Sequence, residues 1–277
     1  MAGTRRTAGQ TRRAVWGVAV GTVMALPLAL LAACSSATPQ ELGLPVKTVP
    51  AATVPTNTVP AGSPGATSHT VSVTVDGRTH ASLDVLTGTT VLTIGTAAFG
   101  PAGPLLTVTT PVGSPVPQLS SSDPDGAANG ALVDLSAPNT TAVTVTLNAG
   151  VSWQIDLDGG ATRTDVDLRD GRLSGIAFNA GSSLVTLALP RPHGSVPVQM
   201  VGGASQFQLS LPTGVPARVT AGGGASEVSL EGQQHTGVQG GSVFATAGWA
   251  PGVSGFDIDA TAGVSQMIVT ARPANGS

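Results

Sequence analysis

The chain has 277 residues, of which 41% are hydrophobic, 3% aromatic and 10% charged, with 12 Lys and Arg against 15 Asp and Glu. This mildly acidic balance excludes the basic surface typical of nucleic-acid-binding proteins, so no nucleic acid is expected among the partners. A single cysteine, Cys34, excludes an internal disulfide framework. The length is enough for one or two domains with a sizeable core.

Residues 1–33 have the organisation of a secretory signal peptide. Residues 1–13 contain four arginines and no acidic residue, and residues 14–33 form an uncharged, mostly apolar segment. A basic segment, an apolar segment and small residues before a cleavage site are typical of export signals. An uncleaved transmembrane helix is the alternative, because about twenty apolar residues can span a bilayer. Pro27 and the small residues at the end of the segment favour cleavage.

The segment Leu31–Cys34 resembles the lipobox of bacterial lipoproteins. The resemblance implies cleavage between Ala33 and Cys34 and a diacylglyceryl group on Cys34. Two acyl chains, at about 0.8 kcal/mol per buried methylene, anchor a protein stably. We therefore predict attachment to the outer, extracytoplasmic face of the cell membrane through Cys34. Thr11–Trp16 also resembles a twin-arginine motif, which leaves the export route open.

Residues 34–67 are predicted to form a disordered tether behind this anchor. Prolines at positions 39, 45, 50, 55, 60 and 64 lie among Thr, Val and Ala. Proline-rich segments extend by about 3 Å per residue, so this one can hold a domain on the order of 100 Å from the membrane. Residues 273–277 are predicted to be a disordered tail.

Residues 68–272 alternate apolar and small polar side chains, which predicts an all-β domain. Clear examples are Val71–Val75, Val143–Leu147 and Phe207–Leu211, and Gly and Pro interrupt the pattern every eight to twelve residues.

A repeat that begins with glycine predicts that these strands stack as a single-chain β-solenoid (β-helix). The segments that align without gaps begin at Gly150, Gly181, Gly203, Gly224 and Gly263. Segments at Gly160, with one extra residue, and at Gly241, more weakly, extend the series. The resulting period of about 21 residues indicates one turn and strand per repeat. Inward apolar side chains would form ladders, and the glycine would serve a positive-φ corner or close backbone stacking. A β-sandwich is the alternative.

The segment Gly202–Gly232 resembles the adhesin-type, or toastrack, β-solenoid repeats of bacterial envelope proteins. The resemblance extends over residues 68–272 and is best over residues 149–272. Residues 68–148 match poorly, and are either earlier rungs or a separate cap. The resemblance implies an extracytoplasmic interaction or sensing module without catalysis.

The densest polar cluster lies in residues 156–170. Alternation with apolar residues places Asp156, Asp158, Asp165 and Asp167 on the solvent side of two strands. If the two strands are neighbours, the carboxylates can converge on Ca²⁺, which takes six to eight oxygen ligands. The same cluster is the best candidate for a catalytic centre. We favour a solvated charged face that discourages pairing with other chains, and predict no catalytic residue, metal or other cofactor.

Trp153 is the candidate ligand-binding aromatic residue, although packing at a corner is the favoured interpretation. The residues that align with it are Leu184, Gln206, Glu227 and Gln266. The four histidines lack metal-ligand spacing.

These features predict a lipid-anchored, extracytoplasmic β-solenoid that binds or senses a component of the cell envelope and is not an enzyme. One alternative is a carbohydrate-active solenoid enzyme that uses the aspartates between Asp156 and Asp167. Another is a structural or signalling partner of a membrane protein. The sequence leaves open whether the partner is an envelope polymer or a membrane protein, and whether the chain forms oligomers.

Overall fold

The computed structural model of the chain describes residues 68–122 and 131–273, and these ranges contain 19 β-strands and no helix. The all-β prediction is confirmed. Within the same ranges, no helix is available that could cross a membrane. In chain order the strands are β1 His69–Thr74, β2 His80–Val85, β3 Thr89–Ala97, β4 Pro104–Thr110, β5 Gln118–Ser122, β6 Ala131–Ser136, β7 Ala142–Asn148, β8 Ser152–Leu157, β9 Ala161–Asp167, β10 Arg172–Phe178, β11 Ser182–Ala188, β12 Ser195–Met200, β13 Ala204–Pro212, β14 Ala217–Ala221, β15 Ala225–Leu230, β16 Gln233–Val238, β17 Ser242–Ala245, β18 Gly255–Ala260 and β19 Val264–Arg272.

The strands form a ten-stranded and a nine-stranded sheet, and each rung of the fold contributes one strand to each sheet. Along the stack the rungs are β6–β7, β2–β3, β8–β9, β10–β11, β12–β13, β18–β19 and β14–β15. The seven rung strands of each sheet are parallel. Stacked parallel strands that alternate between two sheets define a β-solenoid, as predicted, and not an antiparallel sandwich.

The rungs do not follow chain order at either end of the stack. The rung that comes first in sequence, β2–β3, lies between β6–β7 and β8–β9. The rung that comes last, β18–β19, lies between β12–β13 and β14–β15. In this inserted rung, Met267 stands opposite Phe207 on one side and Val228 on the other.

Antiparallel strands cover both ends of the stack. At one end β4 pairs with β7, β1 with β4, and β5 with β6. At the other end β16 pairs with β15, and β17 with β14. Such caps limit end-to-end association of solenoids. Residues 68–148 therefore supply both rungs, β2–β3 and β6–β7, and cap strands, β1, β4 and β5.

Inward-facing side chains form continuous apolar ladders between the sheets. One ladder of the nine-stranded sheet consists of Val133, Leu83, Ile155, Ile176, Val198, Ile258 and Val219, all fully or almost fully buried. Between the sheets, the rings of Phe178 and Phe207 meet edge to face with centroids 5.7 Å apart. Burial of such side chains stabilises a fold by about 1.5–3 kcal/mol each, so the ladders hold the solenoid together.

The turns that lead from the nine-stranded to the ten-stranded sheet form one corner, which we call the glycine corner. Six of its seven turns have three residues: 86–88, 158–160, 179–181, 201–203, 222–224 and 261–263. These turns stack backbone against backbone. A Cβ atom on Gly159 would lie 2.2 Å from the carbonyl carbon of Thr87, and one on Gly202 would lie 2.3 Å from that of Ala180. Among the glycines that end the six turns, Gly224 has a positive φ, of 82°. Close stacking therefore requires glycine at the middle positions 159 and 202. The repeated glycines at 181, 203 and 263 have more room, because the nearest atom to an added Cβ is 3.3–3.7 Å away.

Two glycines of the predicted series lie elsewhere. Gly150 precedes β8 at the opposite corner, and Gly241 precedes the cap strand β17. Gly160 does belong to the glycine corner, but its strand pairs with β11 without an extra residue, since Ala161 stands opposite Ser182. The alignments at Gly150 and Gly241 were wrong because apolar and polar residues alternate in the same way in both sheets and in the caps. The alignment at Gly160 was shifted because buried Thr164 of β9 fills the inward position that Val185 fills in β11.

Candidate functional site

The predicted anchor lies outside the described residues. Ala33 and Cys34 belong to residues 1–67, which the structure does not describe. Cleavage and lipidation therefore stay predictions from the sequence.

The predicted aspartate cluster does not assemble. Asp156 lies on β8 of the nine-stranded sheet, and Asp158 lies in the turn that follows it. Asp165 and Asp167 lie on β9 of the ten-stranded sheet, so the assumption that the two strands are neighbours was wrong. Among the described residues, no group of three or more His, Asp or Glu side chains is arranged to hold a metal ion.

Each of these aspartates except Asp156 has a local partner. Arg163 pairs with Asp165, and Arg169 pairs with Asp167, each two residues along the same chain segment. Asn179 Nδ2 donates a hydrogen bond of 2.7 Å to Asp158 Oδ1. These contacts fit the solvated charged face that the sequence favoured.

A different row of aspartates crosses the outer face of the nine-stranded sheet. Asp134, Asp84 and Asp156 stand opposite one another on β6, β2 and β8. Partial burial raises the pKa of Asp84, and the charges of Asp156, Asp134 and Asp158 raise it further. The sequence did not reveal this row, because the pairing of β2 with both β6 and β8 depends on the exchanged order of the first two rungs.

Trp153 is a core residue. Its side chain is fully buried, and Nε1 donates a hydrogen bond of 3.1 Å to the backbone oxygen of Asn148. Its neighbours across the strands are Ala81 and Leu173. An exposed binding role is therefore wrong, and so is the alignment of Trp153 with residues that lie in the ten-stranded sheet, Leu184, Gln206, Glu227 and Gln266.

The connections that lead back from the ten-stranded to the nine-stranded sheet form the second corner, which we call the arginine corner. A cavity of about 480 Å³ opens there between connections of successive rungs. The charged and titratable residues that line it are Arg169, Asp170, Arg172, Arg191, His193 and Arg272. An adjoining cavity of about 460 Å³ shares Arg172 and His193 and adds His80. We call the two cavities together the arginine groove.

The arginines of this groove are unequally paired. Arg169 is bound to Asp167, and this contact lowers the pKa of the carboxyl group. Arg272 Nη2 donates a hydrogen bond of 3.2 Å to Leu189 O, and its Nη1 is buried without a hydrogen-bond partner among the described residues. Arg172 and Arg191 are exposed, and within the described ranges neither forms an ion pair or a side-chain hydrogen bond. The groove therefore keeps positive charge that the described part of the protein does not neutralise.

A signal for part of this groove is present in the sequence. When the repeats at Gly160, Gly181, Gly203 and Gly263 are aligned without gaps, their tenth residues are Arg169, Pro190, Pro212 and Arg272. All four residues line the same cavity, and Pro212 is paired directly with Arg272. The extra residue assumed at Gly160 hid this correspondence. Arg172 and Arg191 lie outside the repeated positions, so periodicity does not reveal them.

Comparisons with known proteins support the fold. No protein-family model matches the chain, and no curated protein matches it in sequence. Among solved structures, the chain is similar to the crystal structure of a candidate cell adhesion protein from Clostridium sporogenes. The two share 17% identity with a TM-score of 0.55, over 75% of this chain and 100% of that chain. At this identity the likeness shows a shared fold alone.

Proposed function

We propose that this protein is a lipid-anchored, extracytoplasmic β-solenoid that binds or senses a component of the cell envelope and does not catalyse a reaction. The observation that carries the binding role is the arginine groove, a concave surface with unneutralised charge on an otherwise acidic domain. The likeness in fold to a candidate cell adhesion protein agrees with this role.

The anchor and the tether complete the proposal. The lipobox-like Leu31–Cys34 supplies attachment to the outer face of the cell membrane, and residues 34–67 supply the spacer. β1 begins at His69, directly after the spacer. In this arrangement the solenoid reaches envelope components beyond the membrane surface. Among these components, an envelope polymer is the partner that we prefer.

The candidate carboxylates of a carbohydrate-active enzyme divide between two sheets, with Asp156 on β8 and Asp165 and Asp167 on β9, and this arrangement does not support the enzymatic alternative. A membrane protein as the partner remains a separate hypothesis. It predicts capture of one membrane protein by the tagged chain, and loss of envelope binding when the envelopes are treated with protease.

The anchor is tested by intact mass and membrane partition of the native protein beside a Cys34→Ala variant. The expected wild-type protein has lost residues 1–33, carries the mass of a diacylglyceryl group and partitions with membranes, whereas the variant does none of these. A wild-type protein that keeps residues 1–33 unmodified contradicts the anchor.

The binding role is tested by sedimentation of the full chain with isolated cell envelopes, and absence of sedimentation contradicts it.

A further inference from the structure

We propose that the arginine groove binds the repeated phosphate or carboxylate groups of a linear anionic polymer. The inference rests on the proposed function in one respect, namely that the natural polymer belongs to the cell envelope. It names the class of ligand and the residues that recognise it.

The distribution of charge is the first argument. The described ranges contain seven arginines and no lysine against twelve Asp and Glu residues, and four of the seven arginines line one cavity. On a domain that is acidic elsewhere, an anionic chain is repelled from most of the surface. A concave site of the opposite charge concentrates the field and directs the chain to that site.

The chemistry of the free side chains is the second argument. A guanidinium group presents a planar set of donors that matches a carboxylate or a phosphate through two parallel hydrogen bonds. Arg169 and Arg272 already have protein acceptors, in Asp167 and Leu189. Arg172 and Arg191 are exposed and have no such acceptor among the described residues, so their donors are available to a ligand.

The arrangement of the groove favours a chain over a single ion. Arg172 begins β10. Arg191 lies in the connection that leads from β11, in the same rung, to β12 in the next rung. Adjacent parallel strands are about 4.8 Å apart, so these residues offer donors at successive levels of the stack. The two adjoining cavities extend the surface from Arg272 to His80.

One acidic residue lines the groove, and it does not cancel this charge. Asp170 is exposed and lies beside Arg169, whose charge is also shared with Asp167. With both carboxylates counted against the four arginines, the groove retains a positive balance. Pro190 and Pro212 lie between the charged positions and provide a rigid, uncharged floor.

The test is an equilibrium titration of the full-length chain, purified from membranes in a non-ionic detergent, with labelled linear polymers. The probes are polyphosphate, polygalacturonate and neutral dextran. We expect binding of at least one anionic polymer that weakens as salt screens the charges, and no binding of dextran. The preferred polymer distinguishes phosphate from carboxylate recognition.

The decisive variant replaces both free arginines, Arg172→Gln with Arg191→Gln. We expect affinity for the preferred polymer to fall about tenfold or more, since each factor of ten is about 1.4 kcal/mol.

The matched control is Arg163→Gln with Arg218→Gln, which removes the same charge from arginines paired with Asp165 and Asp257 away from the groove. The control should retain affinity within about twofold. Arg172→Lys with Arg191→Lys keeps the charge without the planar set of donors and should give an intermediate loss of affinity. Thermal melting verifies that each variant is folded.

Three results overturn the inference: no anionic polymer binds the wild-type chain, dextran binds equally well, or the groove and control variants lose affinity to the same extent. Sedimentation with isolated envelopes separates this failure from failure of the proposed function. If the wild type and the groove variant sediment equally, the function stands and the groove is not its site. If the wild type binds the polymer and not the envelopes, the groove is a polyanion site and the envelope function fails.

Discussion

The two corners of the solenoid differ in the lengths of their turns and in the side chains that they carry. At the glycine corner, three-residue turns recur in six of seven rungs, and their backbones approach so closely that Gly159 and Gly202 have no room for a side chain. At the arginine corner, the connections between rungs vary from three to six residues and carry charged side chains around a groove. The comparison teaches that the repeat is imposed where backbones stack, whereas chemistry is concentrated where they do not.

Charge follows the same division on the nine-stranded sheet. Asp84 lies near the end of β2 that enters the glycine corner, and Asp158 lies in a turn of that corner. Arg172, in contrast, is the first residue of β10, at the arginine corner. On this sheet the row at Asp84 therefore lies toward the glycine corner, whereas Arg172 lies at the arginine corner. Substitutions at each corner test whether the two corners differ in this way.

The largest effect is expected for Trp153→Ala, beneath the arginine corner. The substitution removes a fully buried ring and the donor to Asn148 O, and should lower the free energy of unfolding by about 3–5 kcal/mol. Asn148 itself holds the adjacent loop, donating from Nδ2 to Gly100 O and Pro104 O. Chemical denaturation measures the loss, and Trp153→Phe, which keeps a ring, should lose much less. Equal losses in both variants would show that the hydrogen bond, and not the packed volume, dominates at this position.

The next largest loss of stability is expected for a substitution at the glycine corner. Gly202→Ala places a Cβ against the Ala180 carbonyl carbon and should cost about 1–3 kcal/mol through backbone displacement. The control is Gly95→Ala in β3, where no atom lies within 4 Å of the new Cβ and φ is not positive. That variant should match or slightly exceed the wild type in stability. Similar melting temperatures for the two variants would contradict close backbone stacking at Gly202.

The smallest effects are expected for Asp84 and Asp167, one carboxylate near each corner. Their replacement should change the stability of the fold in opposite directions. The raised pKa of Asp84 means that stability falls as pH rises from its usual value of 3.8 through the folded-state pKa, so Asp84→Asn should stabilise at neutral pH. The lowered pKa of Asp167 means that its contribution is present above 3.8 and is lost as pH falls through the folded-state pKa, so Asp167→Asn should destabilise at neutral pH. Both changes should be about 0.5 kcal/mol, because these groups are partly exposed. Thermal melting between about pH 2 and pH 7 checks them, since both differences should disappear at the acidic end. Changes of the same sign at pH 7 would contradict the charge division.

Sequence reasoning reached the fold through local signals. Alternation indicated the strands, and the glycines at 181, 203, 224 and 263 marked one corner because each of them ends a three-residue turn there. The order of the terminal rungs and the caps could not be predicted, because alternation is identical in a parallel rung and an antiparallel cap. For the same reason Trp153 was compared with residues of the wrong sheet. The row at Asp84 and the groove at Arg172 and Arg191 depend on pairing between distant segments, which carries no local signature.

The position of β18–β19 in the stack has a consequence for the order in which the domain folds. The rungs on either side of it, β12–β13 and β14–β15, leave the ribosome first, yet their correct spacing requires a rung that emerges only later. Until residues 255–272 are available, β13 and β15 therefore lack the strand that lies between them in the native sheet. Pairing across about 60 residues, as between Phe207 and Met267, is also slow because of the entropy of closing the intervening chain. We therefore expect this end of the solenoid to complete folding last, and its final step to be the insertion of a strand pair between two rungs already formed.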